Sequence, residues 1–301
     1  MDTGSDSLLQ RILKNWMVEQ GRNNKDYLEK FRAFHQFYQE IPMDEKFQFI
    51  GVDKVQDWRF LAYYVNYHGE ADTTVSPMVF DEKVILSELK ERVSYLVGSE
   101  MTSEKVAFDM AHILKNINQY EEKINRGEVM FNNFSDLHYH RKLANNKLYG
   151  FFGLFHVFQY RVNGKHPLAS LIRKSDLGLN GKILSMNFLF NDSYMVTESK
   201  RLPEFIRDKG EYTKVPVSAD NIWMMYIYGI QDFKRSTPEN HKSLVKMTGV
   251  ENPYKGSNRL NSTYRIFNVT DILEMTDKGK PYVQYTIFVR NSDWAEPLVN
   301  E

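Results

Sequence analysis

The sequence predicts an α+β fold, with a helical N-terminal part followed by a strand-rich C-terminal part that carries antiparallel hairpins. Three observations carry that expectation. Apolar residues recur at helical spacing through most of the first 130 residues. Beyond them the apolar runs shorten and are separated by turn signals such as Asn191-Asp192 and Asp277 to Pro281. The two patterns follow one another rather than alternating, which argues against a parallel βαβ sheet.

The elements can be justified in chain order. Ser5 to Glu19 opens on a Ser/Asp cap and carries Leu8, Leu9, Ile12, Leu13 and Trp16 on one stripe. Asn24 to Glu40 repeats the pattern with Tyr27, Leu28, Phe31, Phe34 and Tyr38, and Pro42 closes it because proline cannot continue a helix. Trp58 to Tyr67 is aromatic enough to be a strand or a buried helix, and periodicity alone does not choose. Asp81 to Val97 aligns Val84, Ile85, Leu89, Val93 and Leu96, with Gly98 as a stop. Ser103 to Arg126 reads as one long helix ended by Gly127.

In the second half, Leu148 to Phe158 reads as buried core, being too short for a membrane span of about 20 apolar residues. Lys182 to Glu198 reads as a hairpin turning at Asn191-Asp192. Ile222 to Ile230 reads as a strand. A last hairpin is expected between Thr263–Met275 and the alternating run from Val283 to Arg290. A length of 301 residues suits two domains at roughly 100–200 residues each. The division is placed near Gly127 to Asn133, giving a mainly helical domain over residues 1–130 and a mixed α/β domain over residues 131–301, with an antiparallel sheet.

Composition excludes several classes. With no cysteine there is no disulfide scaffold, thiolate metal site or cysteine nucleophile. The polar, acidic start lacks the pattern of a secretory signal, and no membrane span is expected, so the expected location is cytoplasmic. Lys+Arg and Asp+Glu both number 39, so a chain basic along its whole length is ruled out. Aromatic residues make up 14%, more than a core of this size needs, so some can serve a partner surface. Asn, Tyr, Phe, Lys and Ile share A/T-rich codons, a bias that phage, viral and many bacterial genes carry.

Charge is unevenly spread. Residues 1–150 hold 19 Lys/Arg against 23 Asp/Glu, whereas residues 151–301 hold 20 against 16. Leu137 to Ser175 contains no acid at all. Its cations Arg141, Lys142, Lys147, Arg161, Lys165, Arg173 and Lys174 are interleaved with aromatics. A second basic stretch, 233–265, contributes Lys234, Arg235, Lys255 and Arg259. Cations draw phosphates and aromatic faces stack on bases, so these residues form a candidate anion or nucleic-acid site.

The most metal-like cluster is Asp136-Leu-His138-Tyr-His140. On an extended strand, alternation would set both imidazoles and the carboxylate on one face, a donor set suited to zinc, iron or manganese. Asp81 with Glu88-Leu-Lys90 has the letters of a carboxylate-lysine nuclease site but lies in a helical pattern. Phosphate-binding loops and nucleophile elbows are absent, and no motif asks for a cofactor.

The leading expectation is therefore a non-enzymatic interaction protein that binds another protein. One concrete form is a phage- or virus-encoded inhibitor of a host system, and the opposed charge of the two halves would also allow homo-oligomers. The alternatives are a nucleic-acid-binding protein using segments 137–175 and 233–265, and a metal-dependent hydrolase or nuclease around Asp136, His138 and His140.

Overall fold

Local capping accounts for most of the helix boundaries. In the computed structural model, the residues described are 6–7, 9–10, 13, 24–55, 58–68, 81–98, 103–223, 225–249, 254, 257, 259–260, 263–264 and 282–298. Asn24 Oδ1 accepts the Tyr27 amide at 2.9 Å and starts α1, Lys25–Glu40. Helix α2 is Trp58–His68, so the ambiguous aromatic segment is helical, with Trp58, Ala62 and Val65 turned inward. Helix α3 is Glu82–Gly98. Helices α4, Glu104–Glu121, and α5, Arg126–His140, follow. Most of the expected first helix, Ser5 to Glu19, lies outside the described residues.

The long helix expected over Ser103 to Arg126 is two helices. Lys123 takes a left-handed conformation at φ 57, which ends α4. Asn125 then caps α5 by accepting the Glu128 amide at 3.1 Å. Gly127 is therefore inside the next helix, not a terminator. The break folds α5 antiparallel to α4, bringing Asn132 to Gln119 and Asp136 to Lys115.

Two compact units emerge. The helical unit comprises Ile50–Phe151 and His166–Ile183, and the sheet unit comprises Met1–Phe49, Phe152–Lys165 and Leu184–Glu301. This grouping differs from a cut near Gly127 to Asn133, which would pass through α5. It also sends the N-terminal helix α1 to the sheet unit, where Asn24 bridges Pro297 and the Lys25 amide donates to Glu296 O at 2.8 Å. The helical unit's core is built from α2, α3 and α4, around Leu89, Val93, Met110 and Ile117, and α6, Leu168–Lys174, packs on α5.

The sheet unit holds β1 Met186–Asn191, β2 Ser193–Glu198, β3 Tyr212–Val217, β4 Asp220–Asn221, β5 Met225–Ile227, α7 Ile230–Ser236, β6 Lys242–Lys246, β7 Thr263–Tyr264 and β8 Tyr285–Arg290. One sheet runs β1-β8-β6, a second pairs β2 with β3, and a third runs β4-β5-β7. The α+β class and its antiparallel pairs stand, but the pairings differ from expectation. β1 and β2 form where the apolar runs lie, yet only Asp192 separates them, and one residue cannot reverse a chain into a hairpin. Instead β1 pairs parallel with β8 and β2 pairs antiparallel with β3.

The strand expected over Ile222 to Ile230 shrinks to β5, because Gly229, at φ 88, turns the chain into α7. The C-terminal hairpin is replaced as well. β8 has β1 on one edge and β6 on the other, so β7 pairs with β5. Residues 265–281, including much of that expected hairpin, lie outside the described residues. Phe233, Phe288, Ile230 and Tyr282 anchor this unit's core, with the Phe233 and Phe288 rings edge-on at 5.4 Å.

Candidate functional site

The Asp136-x-His138-x-His140 run lies on α5, not on a strand. Helical geometry keeps Asp136 and His140, four residues apart, on one face and turns His138 away. His138 is buried, and neither ring nitrogen has a hydrogen-bond partner. Among the described residues no group of three or more His, Asp and Glu side chains could hold a metal ion.

What Asp136 and His140 do meet is α4. His140 stacks flat on Phe108 with centroids 3.5 Å apart. Asp136 Oδ2 accepts from Lys115 Nζ at 2.6 Å and lies 3.6 Å from His112 Nδ1. Burial pushes the His112 imidazole below the usual histidine range and outweighs the opposing pull of Asp136. The carboxylate is thus neutralised by Lys115 rather than by an imidazolium. Nearby, Tyr64 donates to Asp109 Oδ2 at 2.5 Å, and burial together with that carboxylate raises the phenol. These contacts join α2, α4 and α5, and His112 Nδ1 is buried among them without a hydrogen-bond partner of its own. Asp81 likewise accepts the Lys83 amide at the start of α3, and Lys90 pairs with Glu121 at 2.6 Å, so the carboxylate-lysine letters serve helix capping and helix pairing.

The basic residues divide between the units. Arg141, Lys142, Lys147, Arg173 and Lys174 belong to the helical unit. Arg141 caps α5, and Arg173 and Lys174 stand in the last turn of α6, where cations complement the helix dipole. Tyr139 donates to Asp176 at 3.3 Å, which ties these two helix ends together. Lys174 Nζ stands 3.3 Å from His166 Nε2. Lys142 and Lys147 are exposed.

Arg161, Lys165, Lys234, Arg235 and Arg259 belong to the sheet unit, and Lys255 lies outside the described residues. Arg161 donates to Gly164 O at 3.2 Å, and Lys234 and Arg259 are committed to carboxylates. Lys234 Nζ bridges Asp220 at 2.8 Å and Asp192 at 3.2 Å. Arg259 grips Asp232 through two nitrogens, at 2.9 and 2.6 Å on Oδ2. Burial opposes the charge of Asp220, but hydrogen bonds from Lys234, Ser218 and Gln231 overcome it and hold its carboxyl below the usual range.

The segment expected to be core is mostly surface. In the helical unit Leu148, Tyr149 and Phe151 are exposed, Tyr149 to 87%. In the sheet unit Phe155 is exposed while Phe158 joins the core. The chain here forms no ladder, only a short turn of 3₁₀ helix over Leu154–Val157, and such a backbone stays where water can reach it.

The site that sequence reasoning missed is the outer face of the β1-β8-β6 sheet. Register places Phe188, Ile287 and Leu244 in one row across the three strands. Phe188 is 45% exposed and Leu244 63%, whereas Leu189 and Phe288, on the opposite face, are buried. Phe190 extends the row along β1 and stacks on Phe188 at 6.4 Å. Lys242 and Lys246 flank Leu244 on the same face. The legible signal was Lys-x-Leu-x-Lys, alternating charge with one apolar residue, which marks an edge strand rather than a phosphate site. No family model, curated protein or solved structure matches this chain.

Proposed function

We propose that this chain is a non-enzymatic protein-binding protein that captures its partner on the outer face of the β1-β8-β6 sheet. The observation that carries this reading is the apolar row Phe188–Ile287–Leu244, in which exposed Phe188 and Leu244 flank a half-buried Ile287 on a sheet whose other face is packed on Phe233. Exposed contiguous apolar side chains on a rigid backing suit an interface, because partner binding removes their surface from water without reordering the backbone.

The test is affinity capture from native-host lysate treated with nuclease, using the tagged chain beside a Phe188→Ser/Leu244→Ser variant. The expected result is a stoichiometric protein retained by the parent chain and lost by the variant. Equal retention by both, or no protein surviving nuclease, overturns the reading.

A second reading, nucleic-acid binding, is favoured by one local feature: the exposed Lys142 and Lys147 precede the exposed Tyr149 by seven and two residues in the helical unit. Binding of a single-stranded oligonucleotide would then weaken with salt, and a Lys142→Ala/Lys147→Ala variant would have a shallower slope. A salt-independent or absent signal removes it.

A further inference from the structure

The outward edge of β6 adds a second recognition element to that face. Arg290 N donates to His241 O at 3.1 Å, and Met247 N donates to Gln284 O at 2.8 Å. In an antiparallel pair alternate residues exchange bonds, so Ser243 and Val245 spend their backbone groups on β8. Lys242, Leu244 and Lys246 direct their N–H and C=O groups away from it. Among the described residues no strand pairs with that edge, and these outward groups have no partner.

Such an edge can template another strand, and the question is which one. A second copy is disfavoured. Antiparallel self-pairing centred on Leu244 sets Lys242 opposite the other copy's Lys246, twice. In-register parallel pairing sets each lysine against itself. Like charges directly opposite destabilise a strand pair. Among the face residues of the three strands there is no acid to relieve them.

We infer that β6 receives an extended acidic peptide from another protein as an added strand, of the pattern acid-x-apolar-x-acid. The two acids would lie opposite Lys242 and Lys246, about 13 Å apart along the strand. The apolar residue between them would cover Leu244 and continue the row toward Ile287 and Phe188. The guest backbone would satisfy the outward groups of β6. This inference rests on the protein-binding reading and names the partner chemistry for the same face.

The experiment uses the full chain and two synthetic nine-residue peptides, one centred on Glu-Thr-Val-Thr-Glu and one on Lys-Thr-Val-Thr-Lys. Fluorescence anisotropy measures binding, and hydrogen exchange reports the amides of residues 242–246. The acidic peptide is expected to bind at least about tenfold more tightly, since two opposed pairs change sign, and to slow exchange at 242–246. Lys242→Glu/Lys246→Glu should reverse the preference. Leu244→Pro should abolish binding, because proline deletes an outward N–H while leaving the bonds to β8.

Equal binding of both peptides, a preference unchanged by charge reversal, or no exchange protection overturns the inference. So does binding to phosphatidylserine vesicles that competes with the acidic peptide, which would make the face a lipid-binding surface. If the peptides fail while lysate capture still depends on Phe188, the strand-addition inference falls and the protein-binding reading stands. If both fail, both fall.

Discussion

Asn116 and Asn133 exchange hydrogen bonds across the α4–α5 pair, each amide nitrogen donating to the other's oxygen at 3.1 and 3.0 Å. Both side chains are buried. Asn116 also donates to His112 O at 2.9 Å, and Asn133 reaches Val52 O at 3.3 Å. The pair thus joins two helices and the segment before α2 through one satisfied polar node.

Replacing one partner leaves the other buried and unsatisfied. Asn133→Leu is expected to lower unfolding free energy by about 2–3 kcal/mol. Adding Asn116→Leu should cost less than a second such loss, because the orphaned amide is removed. Chemical denaturation of the two single variants and the double variant gives the coupling, and strictly additive losses would contradict the reciprocal arrangement.

His112 predicts a pH dependence. Its folded-state affinity for a proton is depressed by burial, against Asp136 and Asp109, which favour the charge, and Lys115, which opposes it. The unfolded chain therefore binds the proton first. Stability is fully present above the ordinary histidine value near 6.5 and declines as pH falls below it, until the folded-state value is passed. His112→Phe should flatten the melting temperature as pH falls below about 6.5, and a slope identical to the parent chain's would refute this.

Lys234 is expected to matter for acid resistance. Its hydrogen bond to Asp220 comes first among the contacts that raise the ammonium, and Asp192 adds to it. Asp220 is correspondingly depressed, so its stabilising share is present above the ordinary aspartate value and is lost as pH falls through the folded value. Lys234→Met should destabilise at neutral pH by about 1–3 kcal/mol, leaving two carboxylates without their shared cation. The difference from the parent chain should shrink as the carboxyls protonate, which thermal melts across the acid range would reveal.

Gly229 allows little substitution. Its φ of 88 is left-handed, and a Cβ there would stand 2.9 Å from Arg259 Cβ. Gly229→Ala should cost about 1–3 kcal/mol through backbone strain and displacement of Arg259. Because Arg259 holds Asp232 in the first turn of α7, hydrogen exchange in that helix should accelerate. An Ala variant as stable as the parent chain would show that the turn relaxes freely.

How much was legible in the sequence follows from what each signal measures. Periodicity and capping are local, so α1, α3 and the positions of β1, β2 and β8 could be read directly. Asn125 could have been read as a cap, but a continuous apolar stripe from Val106 to Ile124 hid the break at Lys123. Pairing is not local: Phe188 meets Ile287 across about a hundred residues, and nothing in either run names its partner. Nor does a run of letters say whether a cation is spent. Lys234 and Arg259 look like Lys142 until Asp192, Asp220 and Asp232 are seen beside them. Residue type and spacing alone determined the α+β class, the cysteine-free chemistry and most helix positions, because those depend on neighbours within a few residues. Tertiary structure alone decided that Asp136-x-His138-x-His140 is helical, that Tyr149 is surface, and that Lys242, Leu244 and Lys246 line an open edge. Burial, charge neutralisation and strand pairing are set by whichever distant residues the fold brings within a few ångströms.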